Sequence, residues 1–195
     1  MKVNVRRYSP DDQRKWDRLV FNAKNATFLF NRAYMDYHAD RFIDHSLILF
    51  LGEQPLALFP ASEHDEQIRS HGGLTYGGLI SDHTMSQLLA IECFKSIYEY
   101  YDALGFRELR YKSIPHIYHI RPADEDLYAL FLSRGQLVSR SPSAVLNLQN
   151  TEIPGKKMNG AKRGLRAGIY LCKVKEPFRL IDEIDKNLRL RHGVS

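Results

Sequence analysis

Cysteine is nearly absent from this 195-residue chain, which has only Cys93 and Cys172. Both lie in apolar segments, which predicts two reduced, buried thiols rather than a disulfide framework, and two cysteines in unrelated contexts argue against a structural zinc site. Long apolar runs are missing too. No stretch approaches the ~18 consecutive apolar residues of a membrane span, and the opening MKVNVRRYSPDD has no apolar core of the signal-peptide kind. Cytoplasmic residence and no transmembrane segment are the expectations. Also missing are the phosphate loop G-x-x-x-x-G-K-[ST], the dinucleotide pattern G-x-G-x-x-G, the zinc motif H-E-x-x-H and the nucleophile elbow G-x-S-x-G. No side chain is marked as a covalent nucleophile. If the chain is an enzyme, positioning and backbone hydrogen bonds carry more of its chemistry than covalent attack.

What is present is enough apolar material for a core, 44% of residues, with an ordinary 26% charged. The net charge of +5 favours anionic partners. It is concentrated: Gly155 to Lys175 holds seven Lys or Arg residues and no acid.

Hydrophobic periodicity organises the rest. KVNVRRY reads as a strand, and SPDDQRKWDRLVFNAK as a helix capped by Ser9, with Trp16, Leu19 and Val20 on one face. NRAYMDYHADRF suggests a shorter helix, and HSLILFLG with QPLALFPAS a hairpin turning at Gly52 to Gln54, with EQIRSHGG and LTYGGLI continuing the sheet across a break at the glycines. MSQLLAIECFKSIYEYYDALG is the clearest helix, with an apolar stripe predicted along Leu88, Ile91, Phe94, Ile97, Tyr101 and Leu104 and a stop at Gly105. FRELRYKSI returns as a strand, making a crossover unit. PADEDLYALFLSRG is a helix with Asp124, Glu125 and Asp126 suited to its first turn. QLVSRSPSAVLNLQ reads as extended, PGKKMNGAKRGLRAG as a basic helix, IYLCKVKEP as a strand and FRLIDEIDKNLRLRHG as a closing helix. The class is α/β (α+β), a mixed central sheet flanked by helices.

Three segments invite a functional reading. SHGGLTYGGLI carries four glycines around His71 and Tyr76. It is either two turns bordering a strand or a bend lining a groove, with His71 and Tyr76 touching substrate. YKSIPHIYHIRPADEDLY places Lys112 at a strand end, with His116, Tyr118 and His119 beyond it, where open sheets often border ligand crevices. No third ligand accompanies the two histidines, so no metal is expected. Tyr118 and His119 are the candidates for proton handling; His71, Tyr76 and Lys112 are candidates for substrate contact. In GKKMNGAKRGLRAG, Lys162, Arg163 and Arg166 share a helical face that suits phosphate.

Together, NATFLFNRAYMDYHADRFIDHSLILF, GEQPLALFPAS, SHGGLTYGGLI, YKSIPHIYHIRPADEDLYALF and KKMNGAKRGLRAGI resemble the FemAB-like branch of the GNAT acyltransferases, in particular the GNAT-type proteins found with bacterial surface-polysaccharide genes. The resemblance runs from about Trp16 to Gly193. It implies a GNAT-like sheet over 1–150, with 151–195 as a basic linker and the start of an incomplete second GNAT-like domain. It also implies acyl or aminoacyl transfer to an amine on a cell-envelope or polysaccharide precursor. The acyl donor would be acetyl-CoA or aminoacyl-tRNA, neither held as a tightly bound cofactor, and the partners an anionic or lipid-linked sugar and tRNA. The Q/R-x-x-G-x-G/A loop of ordinary GNAT enzymes is absent. Two other readings stay open: a non-catalytic domain binding RNA or another anionic ligand through the basic run, and a homo-oligomeric structural remnant.

Overall fold

The computed structural model describes residues 2–37, 39–142, 144–147, 149, 154–173 and 175–193. The chain divides into two compact units, Met1–Val138 and Ser139–Ser195.

The first unit runs β1 (Val3–Arg7), α1 (Gln13–Asn22), α2 (Arg32–Asp36), β2 (Ile43–Asp44), β3 (Leu47–Leu51), β4 (Gln54–Phe59), β5 (Ser62–His64), β6 (Gln67–Arg69), β7 (Ile80–Ser81), α3 (Gln87–Ala103), β8 (Glu108–Arg110) and α4 (Glu125–Leu132). Its strands form two four-stranded sheets, β1-β3-β4-β7 and β2-β5-β6-β8. Every pairing is antiparallel except β6 with β8, which α3 connects as a crossover. The fold is mixed α+β, as the alternation of periods predicts.

Alternation along β3 explains why LILFL is a continuous apolar run. Leu47 and Leu49 face one core cluster with α3, while Ile48 faces a second with Trp16 and Val20 of α1. The first sheet is therefore covered on both faces, and a strand so placed needs apolar residues at consecutive positions.

Three local expectations shift. Ser9 does not cap α1: a 3-10 turn, Pro10–Asp12, precedes the helix, and the Ser9 hydroxyl bonds to the Asp12 carboxylate at 3.2 Å. The stripe on α3 is rotated. Leu88 and Leu104 are exposed, and the buried seam is Ala90, Cys93, Phe94, Ile97 and Tyr101, because Ala90 and Cys93 are small enough to let the helix approach the sheet. Finally, of LTYGGLI only Ile80 lies in a strand, the first residue of the two-residue β7.

A buried cation ties the start of the unit together. Arg32 lays its guanidinium 3.7 Å from the Tyr8 ring centroid and 5.1 Å from that of Trp16. It also pairs with Asp36 at 2.5 Å and Asp44 at 3.3 Å. A planar ion can stack on rings and bond carboxylates in its own plane, which makes its burial tolerable.

The second unit contains α5 (Gly155–Arg166) and α6 (Phe178–His192). Helix α5 ends in a Schellman cap: Gly168 lies at φ +77°, with Gly168 N–H to Leu165 O and Ile169 N–H to Gly164 O, both 3.0 Å. The strand expected over IYLCKVKEP is not formed among the described residues, Val174 lying outside them. A strand needs an edge to pair with, and the described part of this unit has none. Cys172 is accordingly exposed, against the expectation of burial, while Cys93 is buried. The described residues of the 136–149 stretch carry no regular structure; Ser143 and Leu148 lie outside them. Among the described residues no helix is long and apolar enough to cross a membrane.

The rotated seam on α3 is checked by chemical denaturation. Phe94→Ala is expected to cost about 3–5 kcal/mol as a core truncation, and Leu88→Ala to stay within about 0.5 kcal/mol. Equal losses would restore the stripe that the periodicity alone suggests.

Candidate active site

The site is built where β6 and β8 end. Parallel neighbours release their chains in the same direction, so Ser70 and Tyr111–Lys112 emerge side by side. Ser70, fully buried, joins them: its N–H donates to Arg110 O at 2.9 Å and its Oγ accepts from Lys112 N–H at 2.7 Å. The chain then crosses from the second sheet to the first through HGGLTYGGL. On the way Gly77 N–H donates to Lys112 O at 3.0 Å, and Leu79 N–H donates to the Tyr111 hydroxyl at 2.8 Å.

This crossing explains the glycines. A Cβ on Gly77 would sit 1.9 Å from the Ser70 carbonyl oxygen. One on Gly78, whose φ is +104°, would sit 2.7 Å from the Tyr111 hydroxyl. Gly72 and Gly73 press on the side chains of His64 and Phe42. All four glycines therefore admit protein atoms, which answers for them without a ligand.

His71 is buried, accepts from Gly73 N–H on Nδ1 at 3.2 Å and packs by the Phe42 ring. Tyr76 is buried, donates to Thr27 Oγ1 at 3.1 Å and stacks on Tyr118, ring centroids 5.2 Å apart. Tyr118 itself is exposed, in the short turn His116–Tyr118. Lys112 donates from Nζ to Leu74 O at 3.0 Å; burial and then Arg69 hold its ammonium below the usual lysine range. His119 is half-buried, and both ring nitrogens are shielded from solvent with no hydrogen-bond partner among the described residues. Tyr76 and Tyr118 thus meet as a stacked pair, Lys112 lies against the Leu74 carbonyl, and His119 follows the turn that carries Tyr118. Lys162, Arg163 and Arg166 belong to the second unit, exposed on α5. His116 and His119 belong to no group of metal-ligating side chains among the described residues.

Four participants escape sequence reasoning. Lys24 and Asn25 follow α1 and fasten the site from below. Asn25 donates to Leu79 O at 2.9 Å and accepts from Ser81 N–H at 3.1 Å. Lys24 pairs with Glu125 at 2.5 Å, and its carbonyl accepts from Ile120 N–H at 2.7 Å. Tyr111 donates to Asp126 at 2.5 Å. Burial pushes Asp126 above the usual carboxylate range, against the lowering effect of the Tyr111 bond. As a first-turn acid Asp126 reads as an ordinary helix-dipole residue; only its burial separates it from Asp124.

The helix N-termini of this unit do not fit a donor pyrophosphate. Asp11 and Asp12 precede α1, and Asp124, Glu125 and Asp126 open α4. Before α3, Ser86 already accepts Leu89 N–H and Asp82 accepts both Thr84 N–H and its hydroxyl. An anion prefers uncapped N–H groups free of acids. Cys93 is no nucleophile either, its thiol being pushed up to about 12 by burial.

No family model matches this sequence, and no curated protein matches it. Among solved structures the chain is similar to the protein TTHA1254 from Thermus thermophilus, at 17% identity and TM-score 0.43, over 74% of this chain and 97% of that one. It is also similar to an aminoglycoside acetyltransferase from an uncultured soil metagenomic sample, crystallised with sisomicin, at 14% identity and TM-score 0.41, over 74% and 94%. A transcriptional regulator from Bacillus halodurans C-125 overlaps at 11% identity and TM-score 0.42, over 74% and 99%.

The packing account of the glycines is tested by Gly77→Ala, expected to cost about 3 kcal/mol or more because backbone rather than a flexible side chain must move. Gly160→Ala, in open space on α5, is the contrast and is expected to be neutral or stabilising by up to about 1 kcal/mol. Urea unfolding reads both, and a tolerated Gly77→Ala would return the stretch to a ligand-lining role.

Proposed function

We propose that the first unit is an acyltransferase domain of the GNAT class, transferring an acyl or aminoacyl group to an amine. The observation that carries this reading is convergence. The segments whose combination resembles that family, NATFLF, SHGGLTYGGLI and YKSIPHIYHI, are distant in sequence and meet around one pair of strand ends. Thr27 bonds Tyr76, Tyr76 stacks on Tyr118, Ser70 bonds Lys112 and Asn25 bonds Leu79.

In this reading a neutral amine attacks the acyl carbon. A new N–C bond forms, the bond from acyl carbon to the leaving sulfur or oxygen breaks, the amine proton passes to His119, and the exposed Tyr118 hydroxyl supplies a proton to the leaving atom. An unpaired buried imidazole nitrogen is costly until a ligand meets it, and an amine seated against His119 would meet it. Tyr76 and Lys112 hold the acceptor, with Lys112 placing positive charge where the carbonyl oxygen gains negative charge. His71 shapes the floor beneath them. Acetyl-CoA or aminoacyl-tRNA is the donor by resemblance; no step is assigned to its phosphates, since the helix N-termini beside the site do not fit them. The acceptor is an amine on a cell-envelope or lipid-linked sugar precursor, and the setting cytoplasmic.

A specific observation favours a second activity in the second unit. Lys156, Lys162, Arg163 and Arg166 fall within about a third of the α5 circumference at helical spacing, all are exposed, and no acid occurs from Gly155 to Lys175. Such a face binds phosphates of RNA or of an anionic headgroup.

The transfer reading is tested by mass spectrometry of amino-sugar acceptors incubated with acetyl-CoA or aminoacyl-tRNA. Acylated product is expected, falling by about 100-fold or more with His119→Gln, the usual range for losing a proton acceptor. No product with any pairing, or an unaffected His119→Gln, would overturn it. For α5, RNA affinity is expected to fall steeply with salt, with a slope lowered by the Lys162→Ala, Arg163→Ala, Arg166→Ala triple variant. A salt-independent affinity would remove the second reading.

A further inference from the structure

The second sheet turns Ile68 and Leu109 toward the core, so Gln67, Arg69, Glu108 and Arg110 share its opposite face. The register agrees. Gln67 lies beside Glu108 and Arg69 beside Arg110 in the parallel pair, and Ser62 lies opposite Arg69 in the antiparallel one. Side chains bond accordingly: Gln67 Nε2 donates to Glu108 at 2.8 Å, and His64, which starts opposite Gln67, reaches back so that Nε2 meets Ser62 Oγ at 3.3 Å. The crossing segment closes this face where the strands end. A Cβ at Gly72 would sit 2.5 Å from His64 Nε2, and Leu74 O accepts from Lys112 Nζ at 3.0 Å. Lys112 is itself held beside β6 by its N–H to Ser70 Oγ, next to Arg69. Register and hydrogen bonds thus bring His64, Arg69 and Lys112 to one end of one face.

These bases are unbalanced. Arg69 Nε is buried with no hydrogen-bond partner among the described residues, and the terminal nitrogen reaches Gln67 Oε1 at 3.4 Å, a neutral acceptor. The acids nearby are committed elsewhere: Glu63 to His45, Glu66 to Arg107, and Glu108 to Arg110 and Gln67. Asp65 is exposed in the β5–β6 turn. A cation kept for packing is matched as Arg32 is, by two carboxylates and two rings. Burial first, then Arg69, hold His64 and Lys112 below their ordinary ranges, with Asp65 opposing this at His64 and Lys112 adding to it.

We infer that this end of the second sheet binds a phosphate-type oxyanion, with Arg69 donating from Nε, Lys112 from the N–H groups that Leu74 leaves free, and His64 alongside. A guanidinium fork matches two phosphate oxygens, and a lysine adds a compact charge. The anion gives the buried Nε the partner it lacks and relieves the repulsion among three neighbouring bases. Two sources share this chemistry: the free ion, and a phosphate monoester carried on a larger molecule. The site does not rest on the transfer reading.

The test is an NMR titration of the His64 ring in the full chain, with and without inorganic phosphate; it needs no variant. A bound anion favours the imidazolium, so phosphate is expected to raise the His64 midpoint by about one unit, the low end of the effect of a nearby opposite charge. The same signal followed against phosphate concentration gives the affinity at this site, apart from any binding on α5. Arg69→Gln is expected to weaken that affinity about 10-fold or more, as for losing a hydrogen bond to a charged group, and Lys112→Gln to weaken it as well. Arg110→Gln, whose guanidinium Glu108 already holds at 2.6 Å, is expected to stay within about twofold. An unmoved His64 at high phosphate, or equal losses in Arg69→Gln and Arg110→Gln, would overturn the site. So would a shift caused by neutral N-acetylglucosamine. N-acetylglucosamine phosphate acting as phosphate does would uphold it for a monoester, and a response to the free ion alone would uphold it for phosphate itself. A raised midpoint with no acyl product from any pairing keeps the site and removes the transfer reading; acyl product with an unmoved His64 does the reverse.

Discussion

The first unit depends on one steric condition: residue 77 can carry no side chain where the chain passes over the end of β6. Ser70 bonds the backbone of the neighbouring strand from both its N–H and its hydroxyl. The returning chain then passes so close over its carbonyl that a Cβ at Gly77 would fall 1.9 Å away. That passage lets a strand of the second sheet lead into a strand of the first. It also sets Tyr76 over Tyr118 and Leu79 N–H on the Tyr111 hydroxyl. The architecture and the candidate site therefore share one joint, and a change there would be felt in both.

Buried charge is used in two ways around this joint. Arg32 and His45 are structural. Arg32 is sandwiched by rings and carboxylates. His45 bonds Glu63 through Nδ1 at 2.8 Å and is ringed by Tyr100, Tyr101 and Phe106, with Tyr101 donating to its carbonyl at 2.8 Å. In both cases an ionisable group fills space between secondary elements and is matched by rings and opposite charge. Asp126 is matched by polar bonds instead, its carboxylate accepting from the Tyr111 hydroxyl and from Leu127 N–H.

Much of the fold is legible in the sequence. The β3–β4 hairpin, the length of α3, the β6–α3–β8 crossover and the basic helix α5 all follow from period and turn chemistry. The failures have particular causes. Periodicity misplaces the α3 stripe because Leu88 and Leu104 are apolar yet face outward, while Ala90 and Cys93, weak signals on a hydropathy scale, occupy the closest contact with the sheet. LTYGGLI reads as strand because its composition permits it, but the N–H groups of Gly77 and Leu79 go to single atoms of Lys112 and Tyr111, and only Ile80 joins a ladder. IYLCKVKEP has strand propensity and no edge to join.

Local matters are written in the order of residues: where helices begin and stop, which strand must be buried on both faces, where positive charge accumulates, and that glycine is required at four places near residues 70–80. These follow from covalent preferences and short-range periodicity. The order of residues draws attention to His71 and Tyr76 without showing that both are buried, the one under Phe42 and the other between Thr27 and Tyr118. Why the glycines are needed, and which acid matters, came only with the folded arrangement. Both depend on contacts that short-range periodicity does not encode: Gly77 against Ser70, Gly78 against Tyr111, and Asp126 against Tyr111. Asp124 and Asp126 are equivalent to a reader of helix N-termini. The fold leaves Asp124 exposed and buries Asp126 against the Tyr111 hydroxyl.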